Sequence, residues 1–358
     1  MAPSQVPSLS SFSLSSLRNV YQALRGTNAT YLTDRDFPGP TLRGKWIIIS
    51  GANNGIGYEA AKSFAAWGAN LILACRDPPE PELHPRLAVR HCTDVAISQG
   101  HQSLIEWWEL DMADLRSVEA FCNRWLQTDR PLDILCNNAG IAGATDRHVT
   151  RDGFPIVHQV NFLSHVLMTL SLLPSLARSA QPRIICTTSC LHHLGVLDLD
   201  HFQGGADTKG SQYANNKLYY QIWIAEMQSR FFRHPQYQHI TINGVNPGYV
   251  ITGLWNSIED NDTAAHVLRR FLMHLGISGQ QGSLAITHAA TSPELGASPR
   301  NQDGNAPVAR VGGKYINRIW EAPAHYYCDD LHMRLQVWRK VDEELELYNK
   351  GLLAVLGR

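Results

Sequence analysis

An apolar run, a glycine-rich turn and a helix-like segment follow one another between residues 46 and 66. Trp46-Ile-Ile-Ile-Ser50 has the character of a buried strand, Gly51-x-x-x-Gly55-x-Gly57 follows it directly, and Tyr58–Ala66 has helical character. Glycines so placed allow a tight turn and bring backbone amides close to a pyrophosphate at the positive end of the helix. We therefore predict dinucleotide binding, with a ligand-free glycine-rich turn as the alternative. The residues assigned to this site are Gly51, Asn53, Asn54, Gly55, Ile56 and Gly57.

Short apolar runs alternate with longer helix-like segments from Lys45 onward, which is the pattern of a parallel sheet with helices on both faces. This predicts an α/β chain with a doubly wound parallel sheet, the Rossmann fold, in three α/β/α layers. The predicted strands are Trp46–Ser50, Asn70–Cys75, Glu106–Leu110, Ile134–Asn137, Arg183–Thr188 and Thr241–Asn246. The predicted helices begin near Gly55, Asp114, Arg151, Tyr213 and Gly279.

Four other segments are less regular. Four prolines between Asp77 and Arg90 predict a surface loop after the second strand. Residues 254–275 are rich in large apolar side chains, whereas residues 293–307 are polar and have the character of an exposed loop. The stretch Asp329–Leu353 returns to helical periodicity.

The composition argues against several classes of function. The net charge of the 358 residues is −1 with no long run of one sign, so we expect no nucleic-acid partner. The 7 cysteines form no CxxC pair, which favours free thiols in a reducing compartment. The 16 histidines form no HxH or HxxxH arrangement and give no reason to predict a metal. The sequence contains no uninterrupted apolar run of about eighteen residues, so we expect no membrane-spanning helix.

The first 33 residues leave two interpretations open. They are rich in serine, include Arg18 and Arg25 and contain no acid, as mitochondrial transit peptides do. The alternative is a short amphipathic helix that packs on the domain or on a partner, because apolar residues recur at helical spacing. Those residues are Leu14, Leu17, Val20, Tyr21 and Leu24. We expect a cytoplasmic protein, with mitochondrial targeting as the minor alternative.

The end of the second predicted strand bears on the choice of cofactor. An acid at the last strand position would accept both ribose hydroxyls and repel a 2′-phosphate, but Cys75 stands there. Arg76 follows, and a guanidinium can hold a phosphate bidentately while stacking on adenine. NADP is therefore favoured over NAD, and Asp77 is the residue that keeps NAD open. Asp111 could accept from the adenine amino group or could cap the following helix.

Tyr213-Ala-Asn-Asn-Lys217 places a phenol and an ammonium four residues apart, hence on one face of a helix. The positive charge can lower the pKa of the phenol and make it a proton donor beside a carbonyl. The pair follows Ser189, Asn161 and the glycine-rich turn in an order that fits hydride transfer. An exposed pair on a helix surface is the alternative.

These motifs resemble those of the short-chain dehydrogenase/reductase superfamily over residues 43–290. Within it, residues 74–77 and 183–195 are similar to the branch of retinol dehydrogenases and WW-domain oxidoreductases, and also to filamentous-fungal biosynthetic reductases. The 24 positions from Ser189 to Tyr213 match the first of these branches. The similar pieces are Gly51–Gly57, Asn137-Asn138-Ala139-Gly140, Asn161, Ser189, Tyr213 with Lys217, and Asn246-Pro-Gly-Tyr-Val-Ile-Thr252.

The resemblance implies a catalytic role for four residues. Tyr213 would exchange a proton with the substrate oxygen, and Ser189 would hydrogen-bond that oxygen and fix its position. Lys217 would bind the nicotinamide ribose and lower the pKa of Tyr213. Asn161 would hold a water that links Lys217 to solvent; a buried asparagine at a helix kink is the alternative.

The resemblance also implies the rest of the site. The segment 247–252 would curve under the nicotinamide, with the Val250 backbone and the Thr252 hydroxyl near its carboxamide. Apart from the resemblance, the large apolar residues beyond Thr252 predict a lid over about 252–280, although core packing of one amphipathic helix is the alternative. A homodimer built on long helices is implied, unless the terminal additions block that surface. The further cofactor residues are Asn138, Ala139, Gly140, Pro247, Val250 and Thr252, together with Tyr213 and Lys217.

We expect an N-terminal extension over 1–42, a Rossmann-fold catalytic domain over 43–320 and a C-terminal helical appendage over 321–358. His192 and His193 could line the substrate pocket, although a capping or surface role is favoured. The predicted function is NADP(H)-dependent interconversion of a ketone or aldehyde and an alcohol on a bulky hydrophobic molecule of steroid, retinoid or secondary-metabolite type. The alternatives are an NAD-dependent alcohol dehydrogenase and a non-catalytic nucleotide-binding scaffold.

Overall fold

The computed structural model describes residues 14–24, 32, 39–77, 82–142, 148–205, 207–251, 276–296 and 311–353. The strands among them are β1 Trp46–Ser50, β2 Asn70–Cys75, β3 Ile105–Glu109, β4 Ile134–Asn137, β5 Arg183–Thr187, β6 Thr241–Asn246, β7 Tyr315–Asn317 and β8 Trp320–Ala322. The helices are α1 Leu14–Leu24, α2 Gly55–Ala66, α3 Pro85–Ser98, α4 Leu115–Gln127, α5 Ile156–His158, α6 Ser164–Leu176, α7 Gln212–Arg233, α8 Gly279–Thr291 and α9 Leu331–Leu345. A π-helical turn, Gln159–Leu163, joins α5 to α6.

These strands form one sheet in the order β3-β2-β1-β4-β5-β6-β7-β8, parallel except for β8. Alternate side chains of each central strand enter two separate cores, so the central strands are apolar throughout. Ile47 and Ile49 pack with α2, α3 and α8, whereas Ile48 belongs to the core shared by α4, α6 and α7. The predicted doubly wound α/β sheet is confirmed.

Most predicted elements are present, with two corrections at helix starts. The predicted helix near Arg151 begins only at Ile156, because Pro155 disfavours helical geometry in the residue before it and Gly153 has a φ of +88°. The predicted loop Asp77–Arg90 is wrong from Pro85 onward, where α3 begins. A proline fits the first helical position, and the preceding His84 side chain accepts from Arg86 N.

The strand bounds differ from the predictions by at most one residue. The third strand lies one residue earlier than predicted and the fifth ends at Thr187 instead of Thr188. The short strands β7 and β8 were not predicted, because three residues are too few to show a period. Residues 254–275 and 297–307 of the irregular segments lie outside the described residues, and Pro293–Leu295 forms a 3₁₀ turn.

The helix α9 packs on α7 and belongs to the central core. Trp338 of α9 stacks on Trp223 of α7 with ring centroids 6.4 Å apart. The Arg230 guanidinium lies 3.8 Å from the centroid of the Trp338 ring, and its Nε lies 2.8 Å from Oε1 of the buried Glu226. The predicted helical periodicity of the C-terminal stretch is therefore confirmed. Trp338, Val341 and Leu345 of its apolar side are buried, whereas Leu331 is exposed.

The helix α1 forms where the sequence predicts it but turns its apolar ridge outward. Leu17, Val20 and Tyr21 are exposed, whereas Ala23 is buried. Asn19 Nδ2 lies 3.4 Å from Nε2 of His325. These three side chains therefore do not pack on the domain, and packing of this helix on a partner stays a prediction.

One stretch of the described chain, Ile156–Leu176, is long and apolar enough to cross a membrane by length and composition. Of its apolar window, 89% is buried inside the fold. Burial of this kind is what the core helix of a globular domain shows.

Replacing Trp338 tests whether α9 stabilises the whole domain. We expect Trp338→Ala to lower the free energy of unfolding by about 3–5 kcal/mol, because a large buried side chain leaves a cavity. Denaturant unfolding followed by circular dichroism measures this. The control Trp320→Ala removes a side chain that is 44% exposed, and should change the free energy by less than about 1 kcal/mol. Equal midpoints for wild type and Trp338→Ala would contradict the role of α9.

Candidate active site

The glycine-rich turn brings three backbone segments into contact. Gly51 has a φ of +67°, and a Cβ there would lie 3.0 Å from the Cα of Ala139. A Cβ on Gly57 would lie 2.4 Å from the carbonyl oxygen of Gly51 and 2.5 Å from Nδ2 of Asn138. Only glycine fits both positions. The N-terminus of α2 is therefore open to a close approach by a phosphate group.

The other side chains of the turn serve the protein itself. Asn54 caps α2, since its Oδ1 accepts from Gly55 N at 2.7 Å. Asn53 Nδ2 donates to the carbonyl of Leu83 at 3.1 Å and ties the turn to the connection after β2. Ile56 packs toward α8, where a Cβ on Gly282 would lie 3.3 Å from its Cγ1. A pyrophosphate would therefore meet backbone amides here.

Ser50 is a site residue that the sequence analysis missed. Its Oγ accepts from the backbone N–H groups of Asn138 at 2.9 Å and Ala139 at 3.0 Å. Asn138 Nδ2 in turn donates to the Ser50 carbonyl at 2.9 Å. These bonds hold Asn138–Gly140 against the carboxyl end of β1. A single serine that ends an otherwise apolar strand was the available signal.

The end of β2 carries a neutral thiol followed by a cation. Burial raises the pKa of Cys75 to about 12, so the thiol is uncharged at neutral pH. The Arg76 side chain is 56% exposed, and its Nη2 lies 3.6 Å from Oε1 of Glu82. Asp77 Oδ1 lies 3.4 Å from Nε2 of His84. Such exposed ion pairs contribute at most about 1 kcal/mol, so a phosphate can compete for Arg76.

Asp111 does not cap the helix that follows it. The N-cap of α4 is Asp114, whose side chain accepts from Arg116 N. Asp111 Oδ1 accepts from Ala113 N at 2.8 Å within the intervening turn. The capping alternative for Asp111 is therefore wrong, because that turn separates it from α4, and adenine recognition by Asp111 stays a prediction.

Asn161 lies in the π-helical turn between α5 and α6. Its Oδ1 accepts from Ile141 N and its Nδ2 donates to the Ile141 carbonyl, both at 2.8 Å. The side chain thus clamps the backbone after Gly140, where a Cβ would lie 3.2 Å from Oδ1. This is the alternative in which a buried asparagine serves an irregular helix. The water that would link Asn161 to Lys217 stays a prediction.

Lys217 is buried beside the end of β5. Its Nζ donates to the carbonyl of Thr187 at 2.8 Å, and within the described chain this carbonyl is its one hydrogen-bond partner. Burial lowers the pKa of Lys217 to about 8, with the Cys186 thiol acting in the opposite direction. An ammonium has three donors, so two remain for a ligand such as a ribose.

Tyr213 and Ser189 share a hydrogen bond between their side chains. Burial raises the pKa of Tyr213 above its usual value, the nearby Cys190 thiol raises it further, and the Ser189 hydrogen bond lowers it. Lys217 is not among the groups that shift this pKa, so the expected lowering by Lys217 stays a prediction. The ammonium lies 5.5 Å from the centroid of the Tyr213 ring, and desolvation is the largest cause of the upward shift of the Tyr213 pKa. The phenol is protonated at neutral pH and is able to donate.

His192 and His193 are buried, so the favoured surface role is wrong. His192 Nδ1 lies 2.6 Å from the carbonyl oxygen of Ser189, and its Nε2 accepts from His325 N at 3.2 Å. Burial lowers the pKa of His192 well below the usual value, and the neighbouring His193 adds to this. His192 is therefore a neutral structural contact of the Ser189 backbone.

The segment after β6 crosses toward α8. Pro247 and Val250 are buried, and Val250 forms a parallel bridge with Ile277. A Cβ on Gly282 would lie 2.6 Å from Cγ2 of Val250, so α8 packs directly under this segment. Thr252 and residues 252–275 of the predicted lid lie outside the described residues.

A sequence comparison identifies the family to which these features belong. The short chain dehydrogenase family matches residues 45–263. The chain therefore belongs to this family and is an oxidoreductase of the class that binds a nicotinamide cofactor and interconverts carbonyl and alcohol groups.

Within the family, the chain is similar to the retinol-dehydrogenase branch. It is 34% identical over 315 residues to human retinol dehydrogenase 14, covering 83% of this chain and 88% of that protein. It is 33% identical over 266 residues to the WW domain-containing oxidoreductase of Gallus gallus, covering 72% of this chain and 60% of that protein.

A solved structure shows the same fold. The 7α-hydroxysteroid dehydrogenase complexed with NADH and 7-oxo glycochenodeoxycholic acid superposes with a TM-score of 0.54 at 20% identity. The match covers 80% of this chain and 96% of that chain. At this identity the likeness shows the fold alone.

The buried histidines predict a loss of stability in mild acid. Burial lowers the pKa of His193 and His325 to about 4 and that of His165 to about 3, and the proximity of His325 adds to the shift of His193. An unfolded histidine has a pKa near 6.5. The unfolded state therefore binds protons below about pH 6.5 that the folded state does not bind, so stability falls as the pH decreases from there.

Thermal unfolding at pH 7.5, 6.5, 5.75 and 5.0 measures this effect. We expect the Tm to be nearly constant between the first two values and to fall below pH 6.5. His193→Asn should show a shallower fall than the wild type, because one titrating group is removed. A Tm that is the same at pH 6.5 and pH 5.0 would contradict the prediction.

Proposed function

We propose that this chain is an NADP(H)-dependent oxidoreductase that interconverts a ketone or aldehyde and an alcohol on a bulky hydrophobic small molecule. The observation that carries this proposal is the hydrogen bond between the side chains of Ser189 and Tyr213, with the buried Lys217 one turn further along α7. A proton donor, a second donor to the same substrate oxygen and a cation for the cofactor thus lie together at the carboxyl edge of the sheet.

The residues act on one substrate oxygen. A bound nicotinamide supplies or accepts the hydride. In the reducing direction Tyr213 transfers its phenolic proton to the carbonyl oxygen, and in the oxidising direction it takes the hydroxyl proton. Ser189 donates a hydrogen bond to that oxygen and fixes its distance from Tyr213. Lys217 would direct its remaining donors to the cofactor ribose.

The preference for NADP rests on the end of β2. The uncharged, buried Cys75 thiol does not repel a 2′-phosphate as a carboxylate would. Arg76 follows, and its exposed guanidinium can form two hydrogen bonds to the 2′-phosphate. Asp77 is engaged with His84. An NAD-dependent alcohol dehydrogenase is the second candidate, and Asp77 is the residue that would support it.

The hydrophobic substrate class has two supports. Retinol, which the names of several relatives include, is a bulky and weakly polar alcohol. Exposed apolar side chains also occur in the segments that continue from site residues: Leu194 and Val196 come a few positions after Ser189, and Ile251 follows Val250. A surface with such side chains suits a steroid, a retinoid or a secondary metabolite of similar polarity.

Two further proposals concern the setting of the enzyme. All seven cysteines are free thiols, which supports the cytoplasm. The second proposal is a homodimer. Because α9 covers part of α7, the two subunits would meet through another surface. Residues of α9 that are buried there are Val337, Trp338, Val341 and Leu345.

The substitution Tyr213→Phe tests the reaction. The variant keeps the ring but loses the proton, so we expect kcat for NADPH-dependent reduction of bulky ketones to fall by about 10²- to 10⁴-fold. The rate is measured as NADPH consumption across a panel of steroid, retinoid and polyketide carbonyls. The affinity for NADPH, measured by fluorescence titration, should stay within about threefold of the wild type.

The matched control is Tyr237→Phe, which removes a phenolic hydroxyl near the end of α7 far along the chain from Tyr213. This variant should keep the wild-type rate. Equal rates for wild type and Tyr213→Phe would refute the proposed mechanism and favour a non-catalytic scaffold.

The substitution Arg76→Leu tests the cofactor preference. Loss of the guanidinium should raise KM for NADPH by about 10- to 100-fold, because charge-assisted hydrogen bonds to the 2′-phosphate are lost. KM for NADH should change by less than about threefold. Arg116→Leu, which removes an exposed guanidinium from α4, is the control and should change neither constant. An unaltered KM for NADPH in Arg76→Leu would favour the NAD-dependent alternative.

A further inference from the structure

The peptide group between Ser189 and Cys190 is held on both sides by buried side chains. The Ser189 carbonyl accepts from His192 Nδ1 at 2.6 Å and from the His192 backbone N–H at 3.1 Å. The Cys190 N–H donates to Oδ1 of Asn246 at 3.1 Å. Asn246 is held in turn, since its Nδ2 donates to Oδ1 of Asn317 at 2.8 Å. Rotation of this peptide would break hydrogen bonds at both ends.

The partners of His192 define which ring nitrogen carries the proton. The backbone N–H of His325 can only donate, so Nε2 of His192 accepts and is unprotonated. The Ser189 carbonyl can only accept, so the proton lies on Nδ1. The ring is fully buried, with the Tyr315 ring at 4.5 Å and the His193 ring at 3.9 Å between centroids. The neutral ring thus has both nitrogens satisfied in one orientation.

The conformation of Ser189 decides where its hydroxyl points. Its backbone is extended, with φ −161° and ψ 152°, and its Oγ accepts from Leu191 N at 3.2 Å while meeting the Tyr213 hydroxyl. A rotation about ψ of Ser189 would turn the following peptide and change the direction of the 3₁₀ turn Cys190–Leu194, which begins there. Misplacement of a reacting group by about 1 Å can cost about 100-fold in rate.

We propose that His192 is a positioning residue: its Nδ1–H bond to the Ser189 carbonyl fixes the Ser189 hydroxyl for the substrate oxygen. This role rests on the proposed function. It also makes the site depend on the C-terminal segment around His325, whose backbone N–H holds the ring in the productive orientation.

Two amide substitutions separate the two hydrogen bonds of the ring. The amide of asparagine reaches the position of Nδ1, so His192→Asn keeps a donor for the Ser189 carbonyl and loses the bond to His325. The longer glutamine reaches the position of Nε2, so His192→Gln keeps an acceptor for His325 N and loses the bond to Ser189. We expect kcat of His192→Asn to stay within about threefold of the wild type and kcat of His192→Gln to fall by about 10- to 100-fold.

Controls distinguish positioning from simple packing. His193→Asn makes the same substitution in the adjacent buried ring, and should lower Tm but keep kcat within about threefold. The affinity for NADPH should be unchanged in all three variants. On a Ser189→Ala background, His192→Gln should cause little further loss of kcat, because its effect passes through the Ser189 hydroxyl.

Several outcomes would overturn this role. They are equal losses of kcat in His192→Asn and His192→Gln, a loss in His193→Asn as large as that in His192→Gln, and multiplication of the two losses in the double variant. If His192→Gln does not fold, Asn246→Ser releases the other side of the same peptide and should lower kcat without weakening NADPH binding. A wild-type chain that binds NADPH but shows no Tyr213-dependent turnover would overturn the proposed function itself, whatever the ratio between the His192 variants.

Discussion

The site depends on the hydrogen bonds that join Ser50, at the end of β1, to Asn138 and Ala139 in the segment after β4. Ser50 accepts two backbone N–H groups from that segment, and Gly51 and Gly57 allow the approach because neither position has room for a side chain. These contacts hold the turn that leads into α2 against the carboxyl edge of the sheet. On the other side of Gly140, the Asn161 amide holds Ile141 in the same way. The cofactor face is thus built mainly from backbone whose position a few buried side chains fix.

The C-terminal part of the chain contacts the helices that carry the site residues. In α5, Nε2 of His158 lies 2.8 Å from Oε2 of Glu344 in α9, and its Nδ1 lies 2.6 Å from Oδ1 of Asn216 in α7. Asn216 precedes Lys217, and the π-helical turn that contains Asn161 begins directly after His158. The helix α9 therefore contacts the elements that carry both residues, as His325 contacts the element that carries Ser189 through His192. What the sequence presents as an appendage is packed as part of the active-site framework.

The sequence predicted the sheet and the main motifs because these depend on local patterns. Apolar runs identify β1 and β2, and the order from Gly51 to Lys217 identifies the catalytic elements. It did not predict Ser50, nor that His192 holds the backbone of Ser189, since a lone serine or histidine acquires its role from residues that are distant along the chain. The start of α3 was not predicted, because the prolines were taken only as helix breakers, whereas Pro85 occupies the first position of α3. The burial of Ala23 instead of the apolar ridge of α1 likewise depends on the surface that the helix meets.

Burial, more than charge, sets the protonation of the catalytic pair. Reasoning from Tyr213 and Lys217 alone predicts that the ammonium lowers the pKa of the phenol and makes it a proton donor. Removal from water instead favours the uncharged form of both groups, raising the pKa of the phenol and lowering that of the ammonium to about 8. The phenol keeps the proton that the proposed reduction requires, and the ammonium keeps two donors for the ribose hydroxyls that it is proposed to bind. Ser189 then becomes the group that moderates the phenol, so the accuracy with which its backbone is held matters to proton transfer as well as to substrate position.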